Sequence, residues 1–132
     1  EDLIMIDHAP LFLSGLLVGV IIFQTAIIAP TVFIGLGADH AGPFLRKIFP
    51  KFFVLIAIVS LINSGLAMIS GHNFYAWIGV ISCGLACISY ALIPMTNKSR
   101  DEGNDKVFKR LHNASVAMTV MILLGNISSL FA

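Results

Sequence analysis

Charge is scarce in this chain, and it is missing where the apolar runs are longest. Charged residues make up 11% of the 132 positions, against roughly a quarter in an ordinary soluble domain. No Asp or Glu falls within residues 10–34, 51–70, 74–95 or 107–131. A carrier that couples transport to protons needs an ionisable group in the membrane interior, so this absence weighs against that class. Cysteine is limited to Cys83 and Cys87, which rules out a scaffold stapled by several disulfides. The two lie four residues apart on one predicted helix, with Cβ vectors too divergent to bridge. A nucleotide-binding glycine loop, a nucleophile elbow, a zinc-protease motif and paired intramembrane carboxylates are all missing. No catalytic assembly is expected, and nucleic acid is not an expected partner.

What the chain has in abundance is hydrocarbon. Hydrophobic residues reach 58% and the mean hydropathy is +0.94. A helix rises ~1.5 Å per residue and the bilayer core is ~30 Å thick, so each of the four apolar runs is long enough to cross it. The reading is an all-α integral membrane four-helix bundle, a single domain over residues 1–132. Its helices are expected at about 10–34, 51–70, 74–95 and 107–131.

All basic residues fall in two stretches, Arg46, Lys47 and Lys51, then Lys98, Arg100, Lys106, Lys109 and Arg110. Lys and Arg in short loops stay on the cytoplasmic side. Both stretches are therefore assigned to the cytoplasm and both termini to the opposite face, giving a multi-pass protein of the cytoplasmic (inner) membrane. The first run lacks a basic leader and exceeds the apolar region of a signal peptide, so it reads as a permanent span.

Within the spans, Gly15 and Gly19 form a small-xxx-small pair suited to close helix approach. Pro30, Gly35 and Gly37 predict an end to the first helix, with residues 38–50 as a partly interfacial loop. Gln24, Asn63 and Asn126 are the expected interhelix polar contacts, with Gln24 and Asn63 the preferred pair. On the third helix Gly79, Cys83 and Cys87 make a packing stripe, while Tyr75, Trp77 and Tyr90 sit as interfacial rings. Residues 97–106 read as a solvated loop.

Candidate ligands are few. His8 and His72 fall on the outer face and are the expected haem or metal positions, with Met68 adding a soft sulfur for copper. The preferred reading is that both histidines cap helix ends or bond to headgroups, with ligation as the alternative. On the inner face Arg110 and His112, with His40, Arg46 and Lys51, are the candidates for a basic pocket that meets a lipid phosphate or other anion, and topology-setting charge is the preferred, simpler reading.

Three elements recur in order: Ala29-Pro30-Thr31-Val32-Phe33, then Phe49-Pro50-Lys51-Phe52-Phe53, then Phe108-Lys109-Arg110-Leu111-His112-Asn113-Ala114-Ser115. With Gly15 to Gly19 and Ala41-Gly42, this order resembles the transmembrane-protein-205-like family of small integral membrane proteins. The resemblance implies a four-span bundle in a bacterial cytoplasmic membrane, with Arg110 and His112 at the family's polar motif. It implies no established activity. The functional expectation is a noncatalytic accessory or structural subunit, its partners the lipid bilayer and other membrane subunits or further copies of itself. Two alternatives stand beside it, a protein handling haem b or copper, and an oligomeric carrier for a small or lipid-like substrate.

Overall fold

A computed structural model describes residues 2–132. Its elements are α1 (Asp2–Ile22), a π turn (Phe23–Ile28), α2 (Ala29–Ile69), α3 (Asn73–Asp101), α4 (Asp105–Ser128) and a closing 3-10 turn (Ser129–Phe131). The all-α reading holds. The count of separate helices does not: three helices, Asp2–Ile69, Asn73–Asp101 and Asp105–Phe131, are long and apolar enough to cross a membrane. The difference lies in residues 38–50, expected as a loop and found as part of α2. Ala41 and Leu45 are buried there at helical spacing, so an apolar stripe holds this stretch in the helix.

The first helix nevertheless does not run straight. Its 68 residues would reach ~100 Å at 1.5 Å each, yet Asn63 hydrogen-bonds Ser14 across it at 3.1 Å. It folds back at Gly37, where φ is 71° and ψ 167°, a backbone conformation that glycine adopts without the Cβ clash other residues meet. Two arms result, residues 2–36 and 38–69. The π turn lies ahead of this bend and ends just before Pro30. Proline has no N–H to return to the preceding turn, and Ala29 instead bonds back to the Gln24 carbonyl.

The remaining connections are short because each preceding helix ends on a glycine. His72 N–H bonds Ala67 O at 2.8 Å and Gly71 N–H bonds Met68 O at 3.3 Å. Asn104 and Gly103 repeat the pattern on Ser99 O at 2.9 Å and Arg100 O at 3.2 Å. Both are Schellman closures, which satisfy carbonyls that a helix end leaves open. Asn104 then caps α4 by accepting from Val107 N–H. The expected solvated loop thus shrinks to a tight turn, with α3 reaching Asp101 rather than stopping near Met95.

The packing is inverted relative to a soluble protein. Ser14, Ser60, Asn63, Ser64, Ser82, Ser89, Asn126 and Ser129 are buried, while Leu61, Ile62, Ile69, Trp77 and Leu124 are more than half exposed. Water would penalise that exterior, and hydrocarbon would not. The apolar core proper is Leu17, Ile21, Phe52, Phe53, Ile56, Ala86 and Ile122, with Phe49, Phe52 and Phe53 in mutual ring contact at centroid distances of 5.2 to 6.3 Å.

The buried stripe of α3 is Gly79, Ser82, Ala86 and Ser89. The expected stripe was one residue out of phase in part, for Cys87 is exposed, and both cysteines are free. At Gly79 the backbone of α2 comes so near that an added Cβ would lie 2.7 Å from Ser60 O and 2.8 Å from Ser64 Cβ. Gly15 and Gly19 face open space instead, so the predicted small-residue pair packs against nothing in this chain. Gly79→Ala is expected to lower stability by about 1–3 kcal/mol, the usual range for overpacking, whereas Gly19→Ala leaves it unchanged or slightly higher. Thermal unfolding of both variants in the same detergent measures the contrast, and equal melting temperatures would remove the close-approach argument.

Candidate functional site: a polar tier and two charged ends

One tier of small polar side chains links every arm of the structure. Asn63 Nδ2 donates to Ser14 Oγ at 3.1 Å, and Ser129 Oγ donates to the same oxygen at 3.3 Å. Asn126, one turn before Ser129, donates to Ser82 Oγ at 3.1 Å and to Ile122 O at 2.8 Å. Ser64 Oγ donates to Ala76 O at 3.0 Å, and Tyr75 donates its hydroxyl to Ser129 O at 3.0 Å. In an apolar medium each such group must find a partner within the protein or pay several kcal/mol.

Two of the expected interhelix polar residues, Asn63 and Asn126, belong to this tier, and the third does not. The preferred Gln24–Asn63 pair is corrected by register. The Ser14–Asn63 bond fixes how the two arms slide past one another, and it sets Gln24 ten residues, ~15 Å, farther along, level with Phe53. Gln24 is buried and its amide nitrogen has no protein partner; Ser60 Oγ, Asn63 Oδ1 and Asn126 Oδ1 are likewise unpaired. Ser14, Ser82 and Ser129 were not foreseen. For Ser14 the signal was available in the spacing Ser14, Leu17, Ile21, Gln24, one continuous buried helical stripe in which serine is the smallest member.

At one end of the molecule a cavity of about 380 Å³ is lined by Asp7, His8, Leu11, His72, Asn73 and Tyr75, among others. His72 Nε2 stands 3.8 Å from Asp7 Oδ1, and its ring meets Tyr75 edge-on at 6.0 Å. The structure therefore brings His8 and His72 to one cavity. Met68 is not among the residues that line it and is 64% exposed, so the sulfur expected for copper stands apart. Among the described residues no group of three or more His, Cys, Asp or Glu is placed to hold a metal ion.

At the opposite end the basic residues are already engaged in part. Arg46 makes a two-pronged contact with Asp101, Nη2 to Oδ1 at 2.6 Å and Nη1 to Oδ2 at 3.1 Å. The Arg100 guanidinium lies 4.7 Å from the Phe108 ring centroid. His112 stacks on that same Phe108 with an interplanar angle of 9°. Arg46 and His112, expected with Arg110 and His40 to face one anion, thus turn to different partners. Arg110 and His40 are exposed. Asp101 was read as one acid in a solvated loop, and its pairing across the fold was not visible in the local sequence.

Residues 12–105 match the family model described as "Domain of unknown function (DUF4149)". No curated protein and no solved structure matches the chain.

The fork to Arg46 holds the Asp101 carboxyl below the ordinary carboxylate range, chiefly through its hydrogen bonds, and raises Arg46 in return. Asp101 binds its proton more weakly folded than unfolded. The pairing therefore stabilises above the unfolded value of about 3.9 and is lost as pH falls through the lower folded one. Asp101→Asn is expected to melt below the parent at neutral pH, with the gap closing as pH falls below the ordinary carboxylate range and shrinking in high salt, since the pair is exposed. A gap that persists unchanged in acid would show that Asp101 acts through something other than its charge.

Proposed function

We propose that this chain, which belongs to the family described as a domain of unknown function (DUF4149), is a noncatalytic multi-pass membrane protein that packs as an accessory or structural subunit in a larger membrane complex. The observation that carries the reading is the face of α1 around Gly15 and Gly19. Both are exposed, and a Cβ at either position would meet nothing within 4 Å. Helices associate in lipid through such small-residue faces, because close backbone approach is what gains packing there. The interior supports the same role, since its polar side chains are largely turned to one another.

The positive-inside rule favours a cytoplasmic side for the two basic ends of the helices, with residues near Asp7 and His72 on the other face. The order of the Ala-Pro-x-x-Phe, Phe-Pro and Phe-x-x-Leu-His elements resembles the transmembrane-protein-205-like proteins, and that resemblance supports a bacterial inner membrane. Purification of the full chain in mild detergent tests the subunit role. A stoichiometric partner is expected with the parent, and its yield falls about tenfold, 1.4 kcal/mol, when Gly15 and Gly19 are both changed to Leu. A parent that runs as a free monomer with no partner would overturn the reading.

A second reading, a protein that handles haem b or copper, draws on the cavity that His8 and His72 share. It expects a haem absorption band or bound copper in the purified protein, lost in His72→Ala. An absent band, a metal content at background and an indistinguishable variant would together remove it.

A further inference from the structure

Between the second arm and α3, an open groove of about 450 Å³ is lined by Pro50, Lys51, Val54, Leu55, Ile58 and Tyr90. Its chemistry is divided by position. Val54, Leu55 and Ile58 are each about half exposed and, following Lys51 at three, four and seven residues, extend one helical face away from it. Lys51 stands at the head of that apolar face, and Tyr90 joins it there from α3. The charged contacts of this end leave Lys51 free: the ion pairs among the described residues are Arg46–Asp101, Lys98–Glu102 and, at the far end, His72–Asp7. Lys51 therefore presents an ammonium with no carboxylate to neutralise it, one and a half turns beyond an arginine that does have one.

We propose that this groove is a binding site for an anionic phospholipid, the headgroup phosphate held by the Lys51 ammonium and the Tyr90 hydroxyl and an acyl chain lying along Val54, Leu55 and Ile58. Charge complementarity selects this occupant. A neighbouring apolar helix would fill the trough and leave the ammonium unpaired in a low-dielectric contact, which is costly. A zwitterionic lipid would bring its own cation to the site. An anionic lipid answers both halves of the groove at once. Lysine and tyrosine suit the boundary depth, because each keeps a polar tip at the headgroups while its body lies among acyl chains. Tyr90, first read as an interfacial anchor, thereby gains a partner.

The proposal rests on the membrane-spanning reading, not on the subunit role, and the experiment separates them. Flotation of the full chain with lipid vesicles establishes membrane residence first. Binding of phosphatidylglycerol and phosphatidylcholine to the detergent-solubilised chain is then measured by native mass spectrometry and by thermal shift. The parent is expected to prefer phosphatidylglycerol. Lys51→Gln loses roughly fivefold in its affinity, the usual effect of one basic residue near an anionic surface, and Tyr90→Phe loses less. Lys51→Arg retains the preference, and Lys106→Gln, outside the groove, binds as the parent does. The site is overturned if Lys51→Gln equals the parent, if phosphatidylcholine binds equally well, or if inorganic phosphate gives the same thermal shift without lipid. A chain that floats with vesicles and fails these tests loses the lipid site and nothing else.

Discussion

Hydrogen-bonding groups are costly to leave open in hydrocarbon, and this constraint shapes how the arms of the molecule meet. Ser14 is where it acts most directly, because its hydroxyl oxygen receives Asn63 from the second arm and Ser129 from the end of α4. Two helices are thereby referenced to a third at a single atom. Each bond in such a setting contributes only about 1 kcal/mol, so the tier is not a large store of stability. Its effect is on register: sliding one arm by a turn would break Ser14–Asn63 and set an amide against the aliphatic core. The close approach at Gly79 sets the register of a second helix pair, since there a residue without a Cβ lies against Ser60 and Ser64.

The charged end is held by a different kind of contact. Arg46 and Asp101 are fifty-five residues apart in sequence, and their two-pronged geometry ties the start of the second arm to the end of α3 just outside the apolar zone. Exposed ion pairs contribute little on their own. Here the fork acts at the same helix pair that the Gly79 contact joins farther along, so α2 and α3 are fixed at two heights. Between those heights lies the groove headed by Lys51.

How much of this could be read from the amino acids depends on the length scale of the signal. Composition and run length, which sum over twenty residues, gave the all-α membrane reading and the short turn at Gly71. Features that turn on one residue were less legible. Residues 38–50 contain Gly42, Pro43 and Pro50 and follow Gly35 and Gly37, all signs of a loop, yet the burial of Ala41 and Leu45 keeps them helical; tertiary contact outweighed local propensity. The level of Gln24 relative to Asn63 was not legible because it was counted from span edges, and α1 begins at Asp2 rather than near Pro10. Asp101 found its partner across the fold, where no local pattern reports it. Of the candidate ligands, His8 and His72 line one cavity, whereas Met68 was assigned by helical spacing alone and its exposed side chain lines no part of that cavity.

The two hairpins resolve the same physical problem by the same means. In each, an asparagine on the second helix donates its amide to a serine on the first, Asn63 to Ser14 and Asn126 to Ser82. Each pairing leaves the amide oxygen unbonded, so the polarity that remains is of one kind in both, an acceptor. The correspondence ends at the prolines. Pro30 follows a π turn and precedes a backbone break at Gly37, while Pro94 lies inside an α3 that continues unbroken to Asp101. The first hairpin therefore carries its irregular backbone where Gln24 is buried, and the second carries regular helix. An interior assembled in this way gives each arm a fixed neighbour on its inward face and keeps polar groups off the outer one. The three surfaces to which occupants are proposed, the exterior of α1, the cavity at Asp7 and His72, and the groove beside α3, differ from one another in charge: the first carries none around Gly15 and Gly19, the second pairs an imidazole with a carboxylate, and the third sets one ammonium at the head of an apolar face.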